Sequence, residues 1–213
     1  MRTFKAIKFC KLDNLNNYKF SEFENCTFTN CFFQKRDFEF IKFKKCKFIN
    51  SKFVNTTFSS VVMNSCAFLK CEIRKCRLTK TTLHDVKFER CKLIVNDLQG
   101  TKAKLSKFIY TEIRNCNFRK SDLSGSVFTG SYLYTSNFVK SSMDEITMYN
   151  SSVIDSLFHS VEFKNSVINN CTFQNSILQG TFLLSAINNK VSFSSDLLQR
   201  VGNPYFEMMI IKI

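Results

Sequence analysis

The groups in this sequence with chemical potential are its ten cysteines, its two histidines and its 31 lysines and arginines. C-x4-C pairs occur at Cys26/Cys31, Cys66/Cys71 and Cys71/Cys76. Thiolates are common donors to structural zinc, but such a site wants four thiolate or imidazole ligands converging on a tetrahedron. These cysteines instead follow a five-residue spacing that puts them on different walls of a coil or stacks them in a column, and His84 and His159 fall at outward positions. They read as small buried thiols, not as metal ligands or disulfides, which would also have to meet strict dihedral geometry. The adjacent His84 and Asp85 and the many serines supply atoms for acid–base or nucleophilic chemistry, yet no motif places a nucleophile against them. No G-x4-G-K-[ST], G-x-G-x-x-G or H-E-x-x-H pattern appears. The expectation is no enzyme, no metal and no cofactor.

Charge is more informative. Of 31 Lys+Arg and 17 Asp+Glu, residues 1–120 hold 26 and 10, net +16, while residues 121–213 hold 5 and 7, net −2. A field of one sign over half a chain attracts acidic proteins, phosphate backbones or membrane headgroups. At 213 residues with 44% apolar composition the chain is long enough for one folded unit with its own core. The opening stretch "MRTFKAIKFCKLDN" lacks the apolar region of a secretory signal, and no apolar run is long enough to span a bilayer. Together with the cysteines read as thiols, this predicts a cytoplasmic protein, unless an export route without such a signal carries it.

These groups are positioned by an element of unusual period. In "CTFTNCFFQKRDFEFIKFKKCKFINSKF", residues 26–53, phenylalanine stands at 28, 33, 38, 43, 48 and 53. A strand repeats every two residues and a helix every 3.6, so a repeat of five requires a turn in each unit. From Tyr18 to Leu198 in steps of five, Asn188 is the one residue that is not apolar. Two residues earlier, from Ser21 to Val191, the position is Ala, Cys, Ser, Thr or Val except at Arg36, Ile41, Asn96 and Ile146. Residues two apart on a strand share a side, so the small and the large residue both face inward around one solvent-facing residue. Two residues remain for a corner. The second holds Gly100, Gly125, Gly130 and Gly180, with asparagine at many other corners, as a type II turn with φ > 0 requires. Nine cysteines occupy the small position; only Cys10 lies off it.

On these residues the chain resembles the pentapeptide-repeat proteins, whose pattern is Ala/Cys/Ser/Thr/Val, polar, Leu/Phe and two variable residues. "SDLSG SVFTG SYLYT SNFVK", Ser121 to Lys140, follows it pentad after pentad. The resemblance implies an all-β fold, a right-handed quadrilateral β-helix with four pentads to each coil. Spacing alone would also permit a triangular coil. With twenty residues per coil, Phe28, Phe48, Phe68, Phe88, Phe108 and Phe128 form one stack, continued by Met148 and Ile168. Lys52, Glu72, Lys92 and Glu112 form an outward column of alternating sign. Lys44, Lys45, Lys47, Lys87, Arg90, Lys104 and Lys107 gather round one corner as an uncompensated basic patch.

The domain reading is an N-terminal cap at residues 1–15, the β-helix at 16–200 and an apolar tail at 201–213. "SSDLLQRVG" suggests a short helix capped by Ser194 or Ser195 and stopped by Gly202, Asn203 and Pro204. Tyr205, Phe206, Met208, Met209, Ile210, Ile211 and Ile213 leave little polar face, which predicts a homodimer through this end. Functionally the expectation is a nonenzymatic, rigid module that docks an acidic protein. Family resemblance adds an alternative, binding of a type II topoisomerase such as DNA gyrase in the manner of quinolone-resistance and microcin-immunity members. Their acidic rods imitate duplex DNA, whereas positive charge here would attract it. A nucleic-acid binder is the third reading, weakened because most aromatics go to the core.

Overall fold

A computed structural model of the chain describes residues 2–11, 18–38, 40–58, 60–178, 181, 187–189 and 191–193, with 187–189 and 193 described as backbone. Nearly every strand has three residues, and the central one points inward. Phe23, Phe28 and Phe33 are buried in this way between exposed or half-buried neighbours. Every fifth residue from Phe20 to Asn175 has φ between 48° and 68°. Gly100, Gly125 and Gly130 enter this region freely. Lysines, phenylalanines and even the β-branched Val95 and Thr135 also adopt it, at a cost of about 1–3 kcal/mol each that the ladders on either side sustain.

All pairing among the described residues is parallel, and from Glu22 onward the partner is the residue one coil away, twenty positions along. Four walls result, confirming the quadrilateral coil. The first is a five-stranded sheet from Thr3–Lys5 to Thr82–His84, continued by single bridges from Thr82 through Lys102, Asp122 and Ser142 to Glu162. The second has ten strands, from Lys8–Cys10 to Ile187–Asn189, and the third nine, from Phe32–Gln34 to Ser192–Phe193. The fourth is made of bridges alone, from Asp37 through Arg77 and Asn117 to Ile177. Residues 2–11 extend the first two walls by one step. Thr3 pairs Glu22, an offset of nineteen, so Phe4 and Phe9 stack on Phe23 and Phe28 although they are out of phase in sequence.

The axis is filled by the large residues. Phe28, Phe48, Phe68, Phe88, Phe108 and Phe128 stack with centroids 4.7–5.2 Å apart and planes within 12°, which is the interstrand spacing. Met148 and Ile168 follow in register. At Asn188 the backbone ladder carries on, pairing with Ile168. The expected helix after Ser194 and the tail from Tyr205 to Ile213 lie outside the described residues.

The small inward position forms a polar seam. The N–H of Thr111 donates to Ser131 Oγ (3.2 Å), one coil on, and that hydroxyl donates to the Phe108 carbonyl (2.9 Å). Cysteines join the seam as weak donors: Cys46 Sγ reaches the Phe23 carbonyl at 3.2 Å. The seam explains three of the four residues that break the small-residue rule. Asn96 is buried, accepts from Cys76 N–H at 2.9 Å and donates to the Ile73 carbonyl at 2.8 Å. Ile41 and Ile146 lie one coil beyond Ser21 and Ser126. Those two N–H groups are already used in turn bonds to Tyr18 and Leu123, at 3.1 and 3.0 Å, so no acceptor is needed above them. Arg36, half-buried, stands at the start of its column.

Candidate binding surface

Five of the seven cations of the predicted patch lie on the second wall and its two flanking corners, and the other two on the edge of the first wall. Lys47, Lys87 and Lys107 share one outward column, with Ala67 between the first two. Lys45 sits at the corner entering this wall and Arg90 at the corner leaving it, both with φ > 0. Lys44 and Lys104 approach from the last outward position of the first wall.

The structure corrects the expectation that this charge is uncompensated. Lys44 pairs with Glu24 (3.1 Å), Lys87 with Glu89 (2.5 Å), Lys104 with Asp122 (3.3 Å) and Lys107 with Asp85 (3.9 Å). Hydrogen bonds from Lys44 and Lys5 hold the Glu24 carboxyl below its usual range, and the bond from Lys87 does the same for Glu89. Burial opposes ionisation of Asp122, but bonds from Ser124 and Lys104 outweigh it and lower its carboxyl. These pairs face solvent, where screening leaves each of them little influence on stability. Among the described residues, Lys45, Lys47 and Arg90 have no carboxylate within ion-pair distance.

On the third wall the alternating column is in register, Lys52 beside Glu72, Glu72 beside Lys92 and Lys92 beside Glu112. Its shorter contacts nevertheless run along the strands, Arg74 to Glu72 at 2.9 Å and Arg114 to Glu112 at 2.8 Å, with Lys52 to Glu72 at 3.9 Å.

Asp85 accepts from Ser65 Oγ at 3.0 Å besides pairing with Lys107, and His84 is exposed. Nine of the ten cysteines are buried and Cys10 is exposed. Burial pushes the Cys76 and Cys116 thiols up to about 11. The bonds shared with Cys66 and Cys71, together with burial, raise Cys46 and Cys91 further. Among the described residues no three His, Cys, Asp or Glu side chains group so as to hold a metal ion. No helix among them is long and apolar enough to cross a membrane.

The sequence reading missed the exposed aromatic and apolar side chains. Tyr110, Tyr132, Tyr149 and Leu105 project from the second wall, its corners and the start of the third. Arg114 lies over the Tyr134 ring, 5.2 Å from its centroid. The signal was available, since tyrosine at 132, 134 and 149 falls on outward positions of the repeat.

Four walls, twenty residues per coil and a seam of small polar residues define a pentad-repeat parallel β-solenoid. The sequence matches the family model for a pentapeptide repeat region at residues 41–118, and that for pentapeptide repeats in eight copies at 21–59 and 111–148. Together these span residues 21–148, more than half of the chain, which belongs to the pentapeptide-repeat family. Among solved structures it is similar to a trypsin-treated variant of QnrB1, a plasmid-mediated fluoroquinolone resistance protein. The identity is 18%, covering 94% of this chain and 98% of that one, with a TM-score of 0.52. It also matches HetL of the cyanobacterium Nostoc sp. strain PCC 7120, a pentapeptide-repeat protein involved in heterocyst differentiation regulation, at 10% identity, 87% and 86% coverage and a TM-score of 0.40. No curated protein matches the sequence significantly.

Proposed function

We propose that this protein is a nonenzymatic interaction module that docks an acidic protein partner through the second wall. The observation that carries this reading is the in-register column of Lys47, Lys87 and Lys107, flanked by Lys45 and Arg90 at the two corners. A rigid β-solenoid fixes the backbone positions of these residues, so no chain segment has to be ordered on contact. The free thiols fit a reducing compartment, and a cytoplasmic site of action belongs with this reading. Binding of a type II topoisomerase is the second reading, supported by the fold likeness to QnrB1. The cationic second wall weighs against it, because such a wall attracts DNA and does not replace it.

The test reverses Lys45, Lys87 and Lys107 to glutamate. These side chains are outward, so the melting temperature should move little. Association with a partner recovered by pull-down should fall about tenfold or more, and raising salt from about 0.1 M to about 1 M should slow wild-type association as the Debye length shrinks from about 10 Å to about 3 Å. A partner that binds the triple variant unchanged, with no dependence on salt, places the functional surface elsewhere.

A further inference from the structure

The second wall differs from the others in what it turns outward. From Thr27 to Asn169 its outward residues include a single carboxylate, Glu89, whereas the first wall carries Glu22, Glu24, Asp122, Asp144 and Glu162. The wall is also divided along its length. Its cations end at Lys107, and beyond it stand Ile109, Val127, Thr129, Thr147 and Tyr149.

At the junction two large side chains project from the corners of one coil, Leu105 at 49% exposure and Tyr110 at 60%. Each lies close against a glycine of the next coil. A Cβ on Gly125 would stand 2.6 Å from Leu105 Cδ2, and one on Gly130 would stand 2.6 Å from two atoms of the Tyr110 ring. The glycines, one coil on, therefore make room for side chains to lie flat across the corners, with Val127–Thr129 between them. Tyr132, half exposed, follows Gly130, and the Tyr149 carbonyl accepts the Gly130 N–H at 2.9 Å. Exposed aromatic rings held in one orientation lose little freedom on binding and supply much of the energy at protein interfaces.

We infer that the second wall is a two-part docking strip for an acidic protein segment bearing an apolar or aromatic side chain. Its carboxylates meet Lys87, Lys107 and Arg90, and its apolar side chain seats on the platform between Tyr110 and Tyr149. Charge selects the partner's sign: the strands of the cationic half turn out one carboxylate, Glu89, with Asp85 at the corner beside Lys107, while the strands of the adjoining half turn out no charge and its exposed Glu145 stands at the corner. A nucleic-acid strand would also use rings and cations, but it presents a phosphate at every base. Here rings and cations occupy separate halves of the wall, which fits a peptide with segregated acidic and apolar residues. This inference rests on the reading of the protein as an acidic-partner module and adds the second recognition element.

Fluorescence anisotropy with three labelled probes tests it. Two are peptides of equal length and charge, one of Glu and Gly alone and one with a Phe-Leu pair at one end; the third is oligothymidylate. The Phe-Leu peptide should bind the wild-type chain about tenfold more tightly than its Glu-Gly counterpart. Tyr110→Ala with Tyr149→Ala should abolish that difference while leaving Glu-Gly affinity unchanged, and K45E/K87E/K107E should weaken both peptides. Equal affinity of the wild type for the two peptides, or a difference that survives in the tyrosine variant, overturns the platform and leaves the acidic-partner reading standing. Absence of binding to either peptide at about 100 μM overturns both. Tighter binding of oligothymidylate than of either peptide overturns the partner class.

Discussion

At the scale of single residues, the small inward position does more than leave space. Several of its N–H groups need acceptors one coil away, and serine supplies them while donating to a carbonyl of the previous coil. Asn96 meets both demands with its two amide atoms. Asn96→Ala should therefore cost about 1–3 kcal/mol in urea unfolding, because it leaves a buried N–H and a buried carbonyl unpaired. Asn96→Ser, which restores the arrangement seen at Ser131, should recover most of that loss. Equal stability of the alanine and serine variants would show that size, not hydrogen bonding, governs this position. None of this was legible in the sequence. Whether a position needs an acceptor depends on whether the corner below is closed by its own turn bond, and that differs between walls and along the first wall.

At the scale of the element, each three-residue strand is too short to be stable alone and exists because its ladder and its inward ring are shared with the coils on both sides. Phe88 stacks between Phe68 at 5.0 Å and Phe108 at 5.2 Å and is fully buried. Phe88→Ala should cost about 3–5 kcal/mol, since the ladders fix the spacing of the coils and the cavity cannot close. The adjacent outward substitution Lys87→Ala should change stability by less than about 0.5 kcal/mol. Parallel thermal melts check both, and similar losses would contradict the inward and outward assignment. The phenylalanine columns were readable because a core position repeated without interruption leaves a fixed period. The compensation of the basic corner was not, because Glu24 and Lys44, or Lys107 and Asp85, become neighbours only after the chain has come round a coil. Glu89, two residues from Lys87 on the same strand, was the exception that could have been read directly.

At the scale of the whole molecule, the described ladder ends in Ile187–Asn189 and Ser192–Phe193, each paired on one side only among the described residues. Open parallel edges recruit other strands unless something covers them. We propose that the apolar segment from Tyr205 to Ile213 covers this end by twofold contact with a second copy. Sedimentation at micromolar concentration should give a dimer for the full chain and a monomer for a chain ending at Gly202; a full-length monomer would instead mean that the segment closes over its own coil. The coil geometry has one more consequence, for how such a chain can change over generations. Because each wall takes five residues and each circuit twenty, an in-frame duplication of one pentad leaves every inward residue inward, yet rotates all later coils by a quarter turn. Falling between Lys107 and Tyr149, it would carry Tyr149 from the wall of Lys107 to a neighbouring one, while duplication of a whole circuit would lengthen the rod and keep both on the same wall. Inherited insertions can thus shuffle what the walls display while every inward position still receives an apolar residue, so recognition can be rewritten without exposing the core.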